Sequence, residues 1–439
     1  MRRPVRVVVV GGGAAGVIAA ATVLRESGGT PLDVHIVERG PTVGPGLAYG
    51  TQETLHLLNN YAGRMSAFED EPAHLVRWCH RRGEVVGPDT FLPRHVYGAY
   101  LADLLDEEVP AGSRVSRLRG EVVGIDDSGT DYSVTLASGA QLPADLVVLA
   151  LGNPPPRDLP GIRTAARAYA PNPWAADLAD RARRGSRVLL VGTGLTTVDV
   201  AAALANAHHD VEMVAVSRHG LLPLRHLDHP PQAAGLPALP AASVAGALAD
   251  ARTALDGADG DWRGVVETVK AGANTQWAAW SYTEQQRFLR HAARHWEIAR
   301  HRMAPAMADI VEGLVLDGRL RVARLDDVDV SSFDLVVNCT GPAPAATTGW
   351  NPVVDGLAAR GLLRPGPHGL GLDVAPDGRL LDEAGVPARA LHVVGAARRG
   401  VEWEVAAVPD LRRQARAVAA TLRPVTSSPV GSPLGAMAG

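Results

Sequence analysis

A β-branched run, a glycine-spaced turn and a helical stretch follow one another twice in this chain, and no other feature restricts its fold as strongly. Val5 to Val10 is the first run, with the pattern of a strand buried on both faces, and Ala14 to Glu26 reads as the helix after it, ending near Gly28-Gly29. Asp33 to Glu38 is the next strand. The second copy has Arg187 to Val191 as strand, Gly192-Thr193-Gly194 as turn, Leu195 to Ala207 as helix and Val211 to Val216 as the following strand. Two such units predict an α/β fold with parallel sheets and two bound nucleotides.

The chemistry of the first turn is specific. Gly11 permits the tight turn, Gly13 leaves room for a pyrophosphate, Gly16 lets helix and strand pack closely, and the helix amino terminus stabilises negative charge. Glu38 follows at the distance expected of an acid that binds a ribose diol, and the acidic unit resembles the FAD-binding one of two-nucleotide flavoproteins. In the second turn Gly192, Gly194 and Thr196 precede Thr197, which stands where the third glycine would be, so helix and strand are expected to sit slightly farther apart. The ribose position there holds Ser217-Arg218 instead of an acid. Arg218 reads either as a cation for the 2′-phosphate of NADPH or as a surface loop arginine.

Between the two units, Glu121 to Ile125 and Tyr132 to Leu136 look like short antiparallel strands, and Leu146 to Leu149 and Leu335 to Asn338 look like buried strands ending in small residues. Pro154-Pro155-Pro156 reads as a stiff linker. Residues 228–242, rich in Pro and Ala, precede a mainly helical stretch. Its clearest helix is Thr283 to Met303, opened by a capping box of Thr283 and Gln286. That helix has an apolar face through Phe288, Leu289, Trp296 and Met303, and a basic side that includes Arg287, Arg290, Arg294 and His295. The basic side reads as a solvated face, with an anion-binding surface at the nicotinamide or substrate entrance as the alternative. The chain divides into parts over 1–158, 159–325 with a helical insert at about 240–316, and 326–423, which a resemblance to two-nucleotide flavoproteins assigns to FAD, NADPH and FAD again, and a disordered tail is expected over 424–439.

Forty-three basic against forty-seven acidic side chains leave a net charge of −4, which provides no field to draw the protein onto nucleic acid. Cys79 and Cys339, the two cysteines, form neither a C-x-x-C pair nor part of a metal-ligand cluster, so a local redox disulfide and a metal site are both unexpected. The basic start and apolar run to Leu24 superficially resemble an export signal, but the glycines interrupt the run at phosphate-loop spacing. No other apolar stretch reaches membrane-spanning length, so a cytoplasmic protein is expected.

Further motifs sharpen the reading. They are Gly46-Leu47-Ala48-Tyr49, His56-Leu57-Leu58-Asn59, Gly63-Arg64-Met65-Ser66, Leu92-Pro93-Arg94, Tyr97-Gly98-Ala99-Tyr100-Leu101, Arg300-His301-Arg302-Met303, and Arg399-Gly400 through Trp403-Glu404 to Pro409. Together with the two glycine turns they resemble the bacterial FAD-NAD(P)-binding protein family, similar in layout to flavin-containing monooxygenases and amine N-hydroxylases. The resemblance implies two Rossmann-like domains, the NADPH domain inserted into the FAD domain, with Gly46 to Ser66 beside the isoalloxazine. It places Gly395-Ala396 near the ribityl chain, without the acid that often follows that glycine, and Ala406 to Leu422 as a helix pointing its amino terminus at the flavin.

Asn59 matches the family's asparagine, and its amide suits a flavin hydroperoxide or an NADPH carboxamide. His56 reads as a structural or a catalytic histidine, and Arg94 as an anchor for flavin or an anionic substrate, beside tyrosines that equally suit packing. The implied activity is oxygenation of a soft nucleophile, such as an amine or amino-acid nitrogen, by FAD, NADPH and dioxygen through a flavin C4a-hydroperoxide. The alternatives are a flavin reductase without oxygen insertion and a non-catalytic redox-responsive module.

Overall fold

The computed structural model describes residues 3–107, 109–233 and 240–422, so the expected disordered tail lies outside the described residues. The strands among them, in chain order, are β1 (Val5–Val10), β2 (Leu32–Glu38), β3 (Arg114–Arg119), β4 (Val122–Asp127), β5 (Tyr132–Leu136), β6 (Gln141–Ala144), β7 (Leu146–Leu149), β8 (Tyr169–Ala170), β9 (Arg187–Val191), β10 (Glu212–Ser217), β11 (Leu320–Arg324), β12 (Leu335–Asn338), β13 (Arg379–Leu381) and β14 (Pro387–Val393). They form a six-stranded sheet in the order β13-β14-β7-β1-β2-β3, a five-stranded sheet in the order β11-β10-β9-β12-β8, and the antiparallel trio β4-β5-β6. Every neighbouring pair in the two larger sheets is parallel except β13 with β14. This is a Rossmann-like α/β fold built twice, with the second sheet drawn from chain that lies inside the sequence of the first.

Alternation along β1 explains its continuous apolar sequence. Val7 and Val9 enter one core with Ile18 of the helix Ala14–Arg25, Leu101 of Arg94–Glu107 and Leu411 of Val408–Ala420. Val8 and Val10 enter the opposite core with Val134, Val147, and Val354 of the helix Pro352–Ala359. A central parallel strand covered on both sides leaves no polar face to alternate with.

In the larger sheet the chain runs outward from β1 through β2 to β3 and returns on the other side with β7, and in the smaller one it runs from β9 through β10 to β11 and returns with β12, which enters between β9 and the edge strand β8, so the strand order reverses between β1 and β7 and between β9 and β12. Ligands of open α/β sheets bind at such reversals, outside the carboxyl ends of the strands.

The expected helix Thr283 to Met303 is two helices, Tyr282–His291 and Ala293–Arg300, joined at Ala292. Its cap is Ser281, whose hydroxyl accepts from the Glu284 amide at 3.3 Å, two residues before the expected Thr283. Packing sets the break: Phe288 is held among Trp277, Trp280 and Trp403, whereas Arg294 reaches back to the second glycine turn. Met303 is in neither helix and bridges to Arg225.

Burial also creates a dependence on pH. His392 on β14 and His226 in the chain after β10 are buried, and desolvation pushes their imidazoles down to about 4 and about 3. A histidine whose folded value lies below its unfolded value contributes stability that is present above about pH 6.5 and lost as pH falls. Unfolding stability should therefore decline from pH 6.5 to pH 5 by about 2 kcal/mol for each of the two. Denaturant titrations of His226→Gln and His392→Gln across that window should give flatter pH profiles than the parent.

Candidate functional site

The first glycine turn is built to a tolerance that excludes a side chain. Gly11 has φ +104°, and a Cβ there would stand 2.2 Å from the carbonyl oxygen of Ala150, at the end of β7. A Cβ on Gly16 would stand 2.0 Å from the Gly11 carbonyl oxygen, so helix and turn touch as the sequence predicts. Gly13 differs: its φ is −76°, and a Cβ would meet only the Gly46 Cα at an ordinary 3.5 Å. No side chain caps the helix Ala14–Arg25, which leaves its first amide groups for an anion.

Glu38, at the end of β2, accepts from the Gly12 and Gly40 amides at 2.7 Å each and borders a cavity of about 430 Å³ with Gly11, Gly13, Gly46 and Asn153. Each carboxylate oxygen keeps a second lone pair for a ribose hydroxyl. The uncapped helix and the glycine cradle fit the diphosphate of FAD, and Glu38 fits its adenosine ribose.

The second turn repeats this design. Gly192 has φ +125°, and a Cβ would stand 2.2 Å from the Cys339 carbonyl oxygen, just past β12. Thr197 fills the third-glycine position and donates its hydroxyl to the Gly192 carbonyl at 2.8 Å. At the position where a glycine would let helix and strand touch, this side chain ties helix to turn. A cavity of about 710 Å³ opens here, bordered by Gly194, Thr196, Ser217, Arg218 and Arg294, and reaching His301, Arg399 and Trp403. Ser217 accepts from Thr193 Oγ1 at 2.9 Å and from the Gly220 amide at 3.0 Å. Arg218 is exposed at the cavity rim, with no ion pair or hydrogen bond shown for it among the described residues.

Arg294 corrects the reading of the basic helix side as wholly solvated. It is partly buried, donates to the Thr193 carbonyl at 3.1 Å and hydroxyl at 2.9 Å, and burial lowers its guanidinium. Arg287, Arg290 and His295 on the same stretch are exposed. Periodicity could assign Arg294 a helix face but could not show that the second glycine turn packs against it.

Residues 46–66, which the family resemblance sets beside the flavin, and the motifs that follow distribute their predicted residues unevenly. His56 has both ring nitrogens occupied: Nδ1 lies 2.8 Å from the Thr51 hydroxyl, and Nε2 donates to the Asp199 carbonyl at 3.1 Å. Arg94 pairs with the Asp199 carboxylate at 2.8 Å and donates to the Leu57 carbonyl at 3.1 Å, so its guanidinium is engaged between the two sheets and not at either nucleotide cavity. Tyr97 and Tyr100 pack in the core with ring centroids 5.5 Å apart, as the packing alternative has it. Asn59 accepts from His226 Nε2 at 3.0 Å through its carbonyl, and its side-chain amide has no hydrogen bond shown among the described residues. Gly395, at φ +83°, donates to Gln414 at 2.7 Å and lies against Ala15 of the first helix, where a Cβ would come within 3.1 Å.

The helix Val408–Ala420 carries Asp410 in its first turn, where burial raises the carboxyl and Arg413 pairs with it at 3.0 Å. An acid there offsets part of the positive helix end that the sequence reading directs at a reduced flavin. A further charged group escaped the sequence reading: Glu267 binds Arg64 and Arg302 at 2.6 Å and Lys270 at 2.5 Å, which joins the helical insert to residues 46–66. Lys270 is the i+3 neighbour of Glu267 on one helix, but Arg64 and Arg302 are far from it in sequence, and no local spacing signals their meeting with it.

Residues 8–154 match a family model described as FAD-NAD(P)-binding. The chain carries an FAD-NAD(P)-binding domain. No curated protein matches the chain significantly in sequence. Among solved structures, an ornithine hydroxylase from Pseudomonas aeruginosa is similar over 96% of this chain and 99% of its own, with 15% identity and a TM-score of 0.60. An L-lysine 6-monooxygenase from Pseudomonas syringae is similar over 95% and 98%, with 15% identity and a TM-score of 0.59. A bacillithiol disulfide reductase from Bacillus cereus is similar over 96% and 99%, with 15% identity and a TM-score of 0.52. At these identities the likeness shows the fold that surrounds the FAD-NAD(P)-binding domain.

Both cysteines are buried, in different cores, and burial pushes the Cys79 thiol up to about 11 and the Cys339 thiol up to about 12. Neither thiol is poised to act as a thiolate. Among the described residues no group of three or more His, Cys, Asp or Glu side chains could hold a metal ion, and no helix is long and apolar enough to cross a membrane.

Proposed function

We propose that the protein is an FAD- and NADPH-dependent monooxygenase acting on a soft nucleophile such as an amine or amino-acid nitrogen. The observation that carries this reading is the pair of glycine turns at the two strand-order reversals, each opening on its own cavity, in a chain whose two thiols are buried apart. Bound FAD would accept a hydride from NADPH and, once reduced, activate dioxygen. In balance, NADPH, a proton, dioxygen and the substrate give NADP⁺, water and the substrate carrying one oxygen atom.

The chain's own groups do the rest. The Gly11–Gly16 turn and Glu38 hold the FAD diphosphate and ribose, while the Gly192–Gly194 turn, Thr196, Ser217, Arg218 and Arg294 hold the phosphates and ribose of NADPH. The unbonded Asn59 amide orients the reacting end of a cofactor, and the apolar side chains of Trp403 and Leu370 border the larger cavity. The likeness to a disulfide reductase favours, as a second reading, electron transfer without oxygen insertion.

Purified protein should be yellow, and with amine or amino-acid substrates it should consume NADPH and dioxygen in equal amounts with little hydrogen peroxide. Asn59→Ala should slow coupled oxygenation by about 100-fold, as for loss of one preorganised donor, and divert electrons to peroxide. Quantitative peroxide release with every nucleophile tried would favour the reductase. Unchanged peroxide release in Asn59→Ala would remove that residue from the mechanism.

A further inference from the structure

We propose that Asp199, Arg94 and His56 form a latch that fixes the NADPH-side helix against the flavin-side segment, with Arg94 and His56 as positioning residues for hydride transfer. The inference rests on the two-nucleotide reading above, and on contacts that neither nucleotide cavity explains.

Asp199 lies in the second turn of the helix Leu195–Ala207, whose amino terminus forms the second glycine turn. Its side chain is 4% exposed, and the Arg94 guanidinium paired with it is 15% exposed. The same residue is gripped a second time, since His56 Nε2 donates to its main-chain carbonyl. Arg94 passes the contact on. Its amide donates to the His56 carbonyl at 2.8 Å and its Nε to the Leu57 carbonyl at 3.1 Å, while the Leu58 amide donates to Leu92 at 2.8 Å. Residues 56–58 and 92–94 are thereby held as one unit that ends beside Asn59.

The far end of this strip is fastened to the same side. His226 bonds the Asn59 carbonyl, and the Tyr61 hydroxyl lies 2.9 Å from the carbonyls of Leu227 and His229. Turning the second sheet against the first would pull a buried carboxylate off its guanidinium and leave both charges without partners, which opposes such motion strongly. The ends of residues 56–61 therefore move with the NADPH-side helix, and the Asn59 amide between them keeps its place relative to the second glycine turn. Hydride transfer depends on that register, because a shift of about 1 Å between reacting groups costs about 100-fold in rate.

The test uses FAD-replete Asp199→Asn and Arg94→Gln proteins, with Tyr61→Phe as a milder variant that removes only a hydroxyl. Anaerobic flavin reduction at saturating NADPH should slow by about tenfold to 100-fold in the first two, and less in Tyr61→Phe. The dissociation constant for NADP⁺, measured calorimetrically, should stay within about threefold of the parent, since no nucleotide contact is removed. The double variant should be no slower than the slower single one.

In FAD-free protein, trypsin should cut faster after the exposed Arg157, in the linker between β7 and β8, once the latch is weakened. Unchanged reduction rates and unchanged cleavage in folded variants would overturn the latch. So would a loss of NADP⁺ affinity equal to the loss of rate, which marks a binding lesion. Should NADPH fail to reduce the flavin of the parent protein, the proposed function falls, and the cleavage rate still decides the latch.

Discussion

Replacing Gly13 with aspartate should give a folded, colourless protein. Gly13 is not in the left-handed region, and a Cβ there meets only the Gly46 Cα at 3.5 Å, so the turn accepts a side chain without strain. What the turn cannot accept is the charge. A carboxylate at the uncapped start of Ala14–Arg25 takes the amide groups and the positive helix end that a diphosphate requires, and it faces that anion across a desolvated gap. Juxtaposed like charges cost several kcal/mol, and about 3 kcal/mol already weakens binding by about 100-fold.

Gly11→Ala should fail differently. A Cβ 2.2 Å from the Ala150 carbonyl at φ +104° is a lesion of the fold, visible as a lowered melting temperature before any flavin is added. Flavin absorbance per chain, with melting curves of the FAD-free proteins, separates the two. Full flavin occupancy in Gly13→Asp would sink the assignment of the first turn.

What the sequence made legible was local. Both glycine turns could be read because the strand before, the turn and the helix after are contiguous and each leaves its own pattern. At Thr197, where the sequence reading expected helix and strand to sit slightly farther apart, the structure has a hydroxyl bonded to the Gly192 carbonyl. Residues that act across the chain were misplaced. Arg94 stands 105 positions before Asp199 in sequence, and nothing near either residue announces the ion pair between them. The break at Ala292 was equally silent, since alanine is the best helix former and only the docking of the insert can bend the chain there. Arg294 follows from that bend, which turns it toward Thr193 while Arg287 and Arg290 stay in solvent.

Arg218 and Arg294 are expected to do separable work in the larger cavity. Arg218 stands just past β10, where an acid would select NADH, and on the proposed function its contact is with the 2′-phosphate that NADH lacks. The parent protein should therefore be reduced more efficiently by NADPH than by NADH, and Arg218→Ala should remove about tenfold of that preference. This is the low end of a charge-assisted contact of about 1.5–3 kcal/mol, because the exposed guanidinium is screened by salt. Arg294 sits instead on the Thr193 carbonyl inside the glycine turn, which on the proposed function holds the pyrophosphate common to both cofactors. Arg294→Ala should weaken NADPH and NADH alike, by about tenfold to 100-fold, because its partly buried charge is less screened. Flavin reduction measured against both cofactors at low and high ionic strength tests each assignment. Equal efficiencies in the parent would show that Ser217-Arg218 does not read the phosphate, and a loss in Arg294→Ala confined to NADPH would move that role to Arg294.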